Sequence, residues 1–401
     1  MAFADPLHKE FAGVAAAFIT AGAADYGEVV AIADAFPDDG DDALFYDVWS
    51  AAGDRHIARA EDALAAGHER TGRGHLMRGA ACYSVAIKPW FGTPVDQRMT
   101  AGFENCTAAF DRAIVLGPRP AERLAVPFDG YRLPTWFVPA ADSKPGERRP
   151  VVILVNGYDG TLPDTYFGLG QATVDRGYHA VVFDGPGQGA LLVRDSIPMI
   201  PDWGRVVSAV VDAIVDRDDV DTARIALHGW SLGGLLAPRA AAAEHRLGAV
   251  IADPALWGIL DGMRHLIAAM GFPELAAGLP DLPDEVAAKM TEVILADRAL
   301  TWRIVKRAFW VHGVDDLQGY LRAAAEFTME SHADGIQCPL LATAAEHDPL
   351  AAGAHAFVER VAAPATLLRF RAAQGAGDHC ELYNRWLLNS SVLDWLDDTL
   401  A

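Results

Sequence analysis

Cysteine is scarce in this chain: there are four in 401 residues, and no two of them form a CxxC pair. This spacing excludes a disulfide framework and a cysteine-rich zinc site. It is typical of a protein kept in a reducing cytoplasm. The HExxH and GxxxxGKS/T patterns are absent as well, so we predict neither a metal nor an organic cofactor. The cysteines are Cys82, Cys106, Cys338 and Cys380.

Basic residues are few. Lysine and arginine number 33 against 54 aspartates and glutamates, which gives a net charge of −21. Such a charge repels phosphate backbones and anionic lipid head groups, so nucleic acids and membrane surfaces are not expected partners. Long apolar runs are missing too, because Val151 to Val155 and Val206 to Val215 fall short of the roughly 18 residues that a membrane span needs.

The N-terminus contains one stretch that is similar to an export signal. Residues Phe11 to Ala24 are mostly apolar, and the small residues at the end of this stretch look like a cleavage site. Asp5 and Glu10, however, place negative charge where an export signal carries positive charge. We therefore predict an amphipathic first helix and a cytoplasmic location.

Length and composition indicate a large globular α/β protein, with 51% hydrophobic and 22% charged residues. Apolar residues at helical spacing predict an all-helical segment over residues 1–120. Short strand-like runs predict an α/β core formed by residues 121–253 and 338–401. The interval 254–337 is rich in helical pattern and too long for a structureless loop, which predicts an inserted helical cap.

The predicted core contains short apolar runs separated by turn residues and helical stretches. The first two runs flank an Asp-Gly turn and predict a hairpin. The later runs alternate with helices, which predicts a mostly parallel sheet built from crossover connections. The predicted strands are 123–127, 131–138, 151–155, 179–183, 224–228, 249–252, 340–343 and 366–370.

The sharpest motif is Gly-Trp-Ser-Leu-Gly, with Ser231 at its centre. It follows a predicted strand and precedes a predicted helix, which is the context of a nucleophile elbow. A strand that turns sharply into a helix presents the central side chain above the sheet, and the flanking positions must be nearly bare. We therefore predict that Ser231 is a nucleophile at a helix N-terminus, where developing negative charge is favoured.

A serine hydroxyl needs a base, and the base needs a carboxylate to orient it. Asp348 follows the predicted strand 340–343, and His379 lies in a glycine-rich loop after the strand 366–370. Loops at the carboxyl ends of parallel strands share one edge of a sheet, so these side chains are expected to meet Ser231. The alternatives that the sequence leaves open are Glu346 as the acid and His347 or His355 as the base, with Asp378 as an ordinary turn residue.

A tetrahedral intermediate also needs two N–H donors for its oxyanion. Leu232 supplies one as the residue after the nucleophile, and the loop after the strand 151–155 should supply the other. Tyr158 is the predicted second donor, with the N–H of Gly157 as the alternative. Substrate contacts are expected from Gly157, Trp230 and Trp257, because tryptophans near a cap favour an apolar or aromatic pocket.

Six motifs in the predicted core carry a family resemblance: Leu154–Thr161, Phe183–Gly189, Pro201–Trp203, Gly229–Gly234, Leu236–Arg239 and Gly377–His379. At these motifs the sequence resembles an α/β-hydrolase. It is most similar to the branch that contains 2,6-dihydroxypseudooxynicotine hydrolase, the fungal pigment chain-shortening hydrolases and the FrsA-like esterases. The resemblance covers the chain from about residue 120 to its end. It implies an α/β-hydrolase fold, with a mostly parallel sheet flanked by helices.

The same resemblance implies more about the site and its chemistry. The N-terminal helices and the inserted block would roof the active site, and the protein would be a homodimer. Some members of this branch hydrolyse carbon–carbon bonds next to a carbonyl, whereas others cleave esters. The carbon–carbon hydrolases can recruit an additional acidic residue, for which Asp261 lies in the right region.

Together these observations predict a serine hydrolase that acts through an acyl-enzyme on a mid-sized, apolar or aromatic metabolite. The bond cleaved would be a carbon–carbon bond next to a carbonyl, or an ester. An acyltransferase or a peptidase with the same residues is the alternative within this chemistry. A ligand-binding protein without activity is the alternative outside it, because a fold alone does not establish catalysis.

Overall fold

The fold is built around one mixed sheet, seen in a computed structural model that describes residues 3–269 and 271–401. The sheet order within the described residues is β1-β2-β4-β3-β5-β6-β7-β8. Its strands are β1 (Glu122–Phe128), β2 (Tyr131–Val138), β3 (Arg149–Val155), β4 (His179–Phe183), β5 (Val220–Trp230), β6 (Ala249–Asp253), β7 (Leu340–Ala345) and β8 (Ala365–Phe370).

Strand directions divide the sheet into two parts. β1 pairs with β2 and β2 with β4 in antiparallel fashion, whereas every pairing from β4 through β3 to β8 is parallel. β4 and β6 are buried along their whole length, which fits the continuous apolar runs expected of strands covered on both faces. The predicted mostly parallel α/β sheet is confirmed.

The register of the central strands brings their carboxyl ends to one edge. Val155 at the end of β3 is level with Gly229 of β5, and Trp230 is level with Asp253 at the end of β6. The loops that leave these three strands therefore start side by side. This arrangement positions the candidate site, because the predicted nucleophile follows Trp230 directly.

The chain before the sheet is helical. Asp5, Asp25, Asp41 and Asp96 each accept a backbone N–H at the start of a helix, and such caps satisfy donors that the helix leaves unpaired. The helices are α1 (Pro6–Ala17), α2 (Tyr26–Ala35), α3 (Asp42–Ala65), α4 (Glu69–Ala86) and α5 (Gln97–Ile114).

Helices that flank the sheet or follow β6 make up most of the remainder. They are α6 (Leu162–Thr165), α7 (Gln171–Asp175), α8 (Gly189–Val193), α9 (Trp203–Asp212), α10 (Gly233–Ala241), α11 (Ile259–Ala269), α12 (Pro273–Gly278), α13 (Asp284–Ala296), α14 (Arg298–Leu300), α15 (Phe309–His312), α16 (Leu317–Ala325), α17 (Ala354–Arg360) and α18 (Arg385–Thr399). None of the described helices is both long and apolar enough to cross a membrane.

Helices α11 to α16 fill the interval between β6 and β7 and share an apolar cluster of their own. A π-helical segment, Thr301–Ala308, joins α14 to α15. The division of the chain into a helical segment (1–120), a core (121–253 and 338–401) and a cap (254–337) stays a prediction. The observed helices and strands are compatible with these ranges.

Candidate active site

Ser231 lies in a sharp turn between β5 and α10. Its φ angle is +59°, in the left-handed region that is uncommon for residues with a side chain and is concentrated at functional sites. The Ser231 N–H donates to the carbonyl oxygen of Asp253 at 2.6 Å. The turn is therefore tied to the end of the neighbouring strand β6.

The glycines around this turn leave no room for a side chain. A Cβ added to Gly229 would lie 1.8 Å from the carbonyl oxygen of Gly233, and one added to Gly233 would lie 2.4 Å from that of Val155. Both contacts are with backbone atoms that cannot move without displacing the strand or the helix. The Gly-x-Ser-x-Gly spacing is thus a steric requirement of the elbow.

Three side chains predicted to act together form a continuous chain of contacts. The Ser231 Oγ lies 2.9 Å from Nε2 of His379, and Nδ1 of His379 lies 2.7 Å from Oδ2 of Asp348. The other carboxylate oxygen of Asp348 accepts the backbone N–H of Leu350 at 3.0 Å. Only 1% of the Asp348 side chain is exposed, so its orientation is fixed by these partners.

The environment of His379 affects its pKa in opposite directions. Burial lowers the pKa, whereas the hydrogen bond and the negative charge of Asp348 raise it by more. The net pKa of His379 therefore lies above its ordinary value. A more basic imidazole is better suited to take a proton from a serine hydroxyl.

The rival acid and bases have other partners. Glu346 is exposed and accepts the backbone N–H of Ala372 at 2.8 Å. His355 lies 3.5 Å from Glu359 on the exposed face of α17, and His347 is exposed. Of the acid and base candidates, the structure brings only Asp348 and His379 into the chain of contacts with Ser231.

The loop after β3 packs directly against Ser231. A Cβ added to Gly157 would lie 2.8 Å from Cβ of Ser231, so only a bare residue fits there. The Gly157 N–H donates to Oδ1 of Asn156 at 2.8 Å. Among the described residues no acceptor pairs with the N–H of Tyr158 or of Leu232. The geometry therefore favours Tyr158 over Gly157 as the second oxyanion donor.

The side chain of Tyr158 contacts the helices that follow β6. Its hydroxyl lies 2.7 Å from Nε2 of His312, and burial lowers the pKa of His312 to about 4. The ring is therefore neutral at pH 7, and its Nε2 shares a hydrogen bond with the Tyr158 hydroxyl. The guanidinium of Arg307 lies 5.1 Å from the Tyr158 ring and 5.0 Å from the Trp302 ring. These contacts join the π-helical segment and α15 to the loop after β3, residues 156–160.

The N-terminal helices reach the same loop through Lys88. Its Nζ donates to the carbonyl oxygen of Asp159 at 2.7 Å and lies 3.5 Å from Oδ2 of Asp164. Ser84 donates to the other oxygen of Asp164 at 2.5 Å, and Trp302 donates to the Lys88 carbonyl at 2.8 Å. A lysine inside an apolar stretch is the sequence signal that could have identified Lys88.

A buried ion pair between Arg385 and Asp253 lies next to the turn that contains Ser231. Arg385 donates to Oδ2 of Asp253 at 3.0 Å and to the carbonyl of Cys380, next to His379, at 2.6 Å. Burial raises the pKa of Asp253, but the charges of Arg385 and His228 and the hydrogen bond from Arg385 together lower it below its ordinary value. Burial and the Asp253 charge raise the pKa of Glu381, which is therefore a neutral acid. No local sequence pattern predicts this pair, whose members lie 132 residues apart.

Three residues predicted to touch substrate have other partners. The Trp230 ring packs on Gly168, and Arg385 lies 5.1 Å from it on the core side. The Trp257 indole donates to Glu330 at 3.0 Å. The Asp261 carboxylate pairs with Arg264 at 3.2 Å. None of these contacts reaches Ser231 or His379.

The fold and the elbow define a class of protein, and comparison with known families agrees. The family model described as the alpha/beta hydrolase family matches residues 152–385. The chain belongs to this family and is a hydrolase.

Several relatives of this chain are fungal hydrolases. The chain is 28% identical to the hydrolase acrC of Aspergillus aculeatus, covering 85% of this chain and 82% of that protein. It is 30% identical to the 20-hydroxy-prefusarin hydrolase FUS2 of Gibberella moniliformis, covering 77% and 74%. The crystal structure of 2,6-dihydroxy-pseudo-oxynicotine hydrolase has the same fold, with a TM-score of 0.75, 24% identity and coverage of 96% and 95%.

Proposed function

We propose that this protein is a serine hydrolase that cleaves a carbon–carbon bond next to a carbonyl, or an ester bond, in a mid-sized apolar or aromatic metabolite. The observation that carries the proposal is the contact chain from Ser231 through His379 to Asp348, with distances of 2.9 and 2.7 Å. A hydroxyl, an imidazole and a buried carboxylate in this order form the arrangement that activates serine.

In the proposed reaction, Ser231 Oγ attacks the substrate carbonyl while Nε2 of His379 takes the hydroxyl proton. The Asp348 carboxylate stabilises the imidazolium, and the N–H groups of Leu232 and Tyr158 donate to the oxyanion. Collapse of the tetrahedral intermediate expels the leaving group, which takes its proton from His379. The leaving group is an alkoxide or phenolate from an ester, and an enolate or aryl carbanion from a carbon–carbon bond. Water, deprotonated by His379, then hydrolyses the acyl-enzyme.

The proposed substrate class rests on the side chains that pack against the loop after β3 (residues 156–160), which we call the oxyanion loop. The Tyr158 ring packs edge-on against His312, and the Arg307 cation lies 5.1 Å from the Tyr158 ring and 5.0 Å from the Trp302 ring. Aromatic surfaces bind apolar and aromatic ligands through area and ring stacking. The relatives named above act, by their names, on 20-hydroxy-prefusarin and 2,6-dihydroxy-pseudo-oxynicotine, and we carry the carbon–carbon chemistry of the resembling branch to this chain as part of the proposal.

The bond class is tested by incubation with p-nitrophenyl esters of increasing chain length, β-diketones and acylated phenols in water enriched in oxygen-18. Hydrolysis through an acyl-enzyme places one labelled oxygen in the acid product, and the second product identifies the bond. Products that retain the acyl group on an added alcohol or amine would instead indicate an acyltransferase. A protein that binds a substrate but turns none over, and that does not react with a fluorophosphonate, would be a ligand-binding protein. That result would overturn the proposal.

The pH dependence of this activity follows from the raised pKa of His379. Only the neutral ring can accept the Ser231 proton, so kcat/KM is expected to fall as pH drops through a pKa above the ordinary histidine value of about 6.5. Asp348→Asn removes the charge that raises the pKa, and the acidic limb should move to lower pH while kcat falls. Rates measured from pH 5 to 9 would contradict this assignment if the limb of the variant stayed where it is in the wild type.

Three broader predictions remain part of the proposal. The cap formed by residues 254–337 and the helical segment 1–120 would roof the substrate, which fits the contacts of His312 and Lys88 with the oxyanion loop. A homodimer is implied by the family resemblance, and analytical ultracentrifugation tests it. A cytoplasmic location fits Cys82, Cys106, Cys338 and Cys380, all of which are free thiols.

A further inference from the structure

The Gly-Pro-Gly-Gln-Gly turn after β4 contains a buried glutamine that the reaction above does not use. Gln188 is 1% exposed. Its Nε2 donates to the carbonyl oxygens of Asn156 at 2.7 Å and Gly157 at 3.0 Å, and its Oε1 accepts the N–H of Gly185 at 3.1 Å. Both amide hydrogens are therefore directed at the oxyanion loop, although the turn lies more than 25 residues further along the chain.

One of these two contacts determines the direction of the Tyr158 N–H. The carbonyl of Gly157 and the N–H of Tyr158 belong to the same peptide unit, which is trans and planar. In a trans peptide the C=O and N–H bonds point in opposite directions. A donor that holds the Gly157 oxygen on one side therefore holds the Tyr158 hydrogen on the other.

We propose that Gln188 is a positioning residue that keeps the peptide between Gly157 and Tyr158 oriented for oxyanion binding. This inference rests on the proposed function, because it assigns a role only if Ser231 is acylated. Without the glutamine the peptide is free to rotate, and rotation replaces an N–H donor with a carbonyl oxygen that repels the oxyanion. Gln188 would thus act on the transition state without touching the substrate.

Other contacts along this loop hold different peptide units. Asn156 Oδ1 accepts the N–H of Gly157, which belongs to the preceding peptide. Lys88 donates to the carbonyl of Asp159, which belongs to the peptide unit between Asp159 and Gly160. The His312 contact is made by the Tyr158 side chain and does not determine the orientation of the peptide between Gly157 and Tyr158. Among the described residues, only Gln188 hydrogen-bonds to the Gly157 carbonyl.

The test replaces Gln188 with Met, which keeps the volume and removes both donors. We expect kcat for the best p-nitrophenyl ester to fall by about 10²- to 10³-fold, the loss measured when one oxyanion donor is removed. KM should change by less than about threefold, because the ground-state carbonyl gains little from the N–H. The inhibition constant of a trifluoromethyl ketone, which forms an oxyanion on the serine, should rise in parallel with the loss in kcat/KM.

Gln171→Met is the matched control. The Gln171 side-chain amide is also hydrogen-bonded through both its oxygen and its nitrogen, accepting from the Tyr166 hydroxyl at 3.0 Å and donating to Asp175 at 2.9 Å, but Gln171 lies on α7, outside the proposed cap and the loops at the site. Its loss should leave kcat within threefold of the wild type. Thermal unfolding and circular dichroism report whether each variant keeps its fold.

If Gln188→Met does not fold, Gln188→Asn gives the same readout, because the shorter side chain keeps the amide but draws it back from the Gly157 oxygen. A folded variant with wild-type kcat and unchanged ketone affinity would overturn the inference. A higher KM at unchanged kcat would also overturn the inference, since that pattern indicates weaker binding of substrate and no loss of transition-state stabilisation. Failure of the wild-type enzyme to react with a fluorophosphonate would instead show that the proposed function is wrong.

Discussion

Ser231→Ala is expected to lower kcat by about 10⁴-fold or more and to leave the fold intact. The substitution removes the one hydroxyl within 2.9 Å of Nε2 of His379. The elbow itself depends on the bare positions at Gly229 and Gly233, which the variant keeps. Steady-state rates on the best substrate, with circular dichroism as a check on folding, measure the effect.

Ser391→Ala is the control for this variant, because the Ser391 hydroxyl donates only to the Leu387 carbonyl within its own helix. Its activity should equal that of the wild type. Within residues 3–269 and 271–401, Cys380 is the one other nucleophilic side chain near the base, with Sγ 3.3 Å from Nε2 of His379. Burial raises the pKa of its thiol well above the ordinary value, so it stays uncharged. Substantial turnover by Ser231→Ala would contradict the assignment of the nucleophile.

Arg385→Met is expected to lower the free energy of unfolding by about 3 to 5 kcal/mol, the cost of removing one partner from a buried ion pair. Both side chains of the Arg385–Asp253 pair are fully buried, and the substitution leaves the Asp253 carboxylate without its cation. Urea denaturation, followed by tryptophan fluorescence and circular dichroism, measures the loss. The double variant Arg385→Met with Asp253→Asn should recover part of it, because the uncompensated charge is then gone.

Arg322→Met provides the comparison, because Arg322 pairs with Asp281 where both side chains are largely exposed. Exposed pairs contribute about 0 to 1 kcal/mol, so this variant should be nearly as stable as the wild type. An equal and small effect of both substitutions would show that the buried pair does not support the elbow. A folded Arg385→Met should also be less active, since Arg385 holds the Cys380 carbonyl beside His379.

The elbow and the order of its partners were predictable because they follow from local rules. Glycine spacing around Ser231 reports a tight strand-to-helix turn, and loops after parallel strands share one edge. The direction of Trp230 could have been inferred as well. It precedes Ser231 at the end of a strand, where successive side chains point to opposite faces, and its ring lies in the core. The substrate contact expected of Trp230 stays a prediction.

The residues that support the site were not predictable in the same way. Lys88, Gln188, His312 and Arg385 act through contacts with residues far away in the chain, and of the four only Lys88, inside an apolar stretch, stands out in its local sequence. Gln188 lies in the Phe183–Gly189 motif, which carries part of the family resemblance but assigns Gln188 no role. Only the packing of the β3 and β4 loops against each other reveals its contacts.

Peptide mapping by mass spectrometry after reaction with a fluorophosphonate tests whether Ser231 is the nucleophile. We expect a single phosphonylated site, on the peptide that contains Ser231, formed at a much lower rate in His379→Ala. An adduct on another residue, or an enzyme that turns over its substrate and yet forms no adduct, would contradict this assignment.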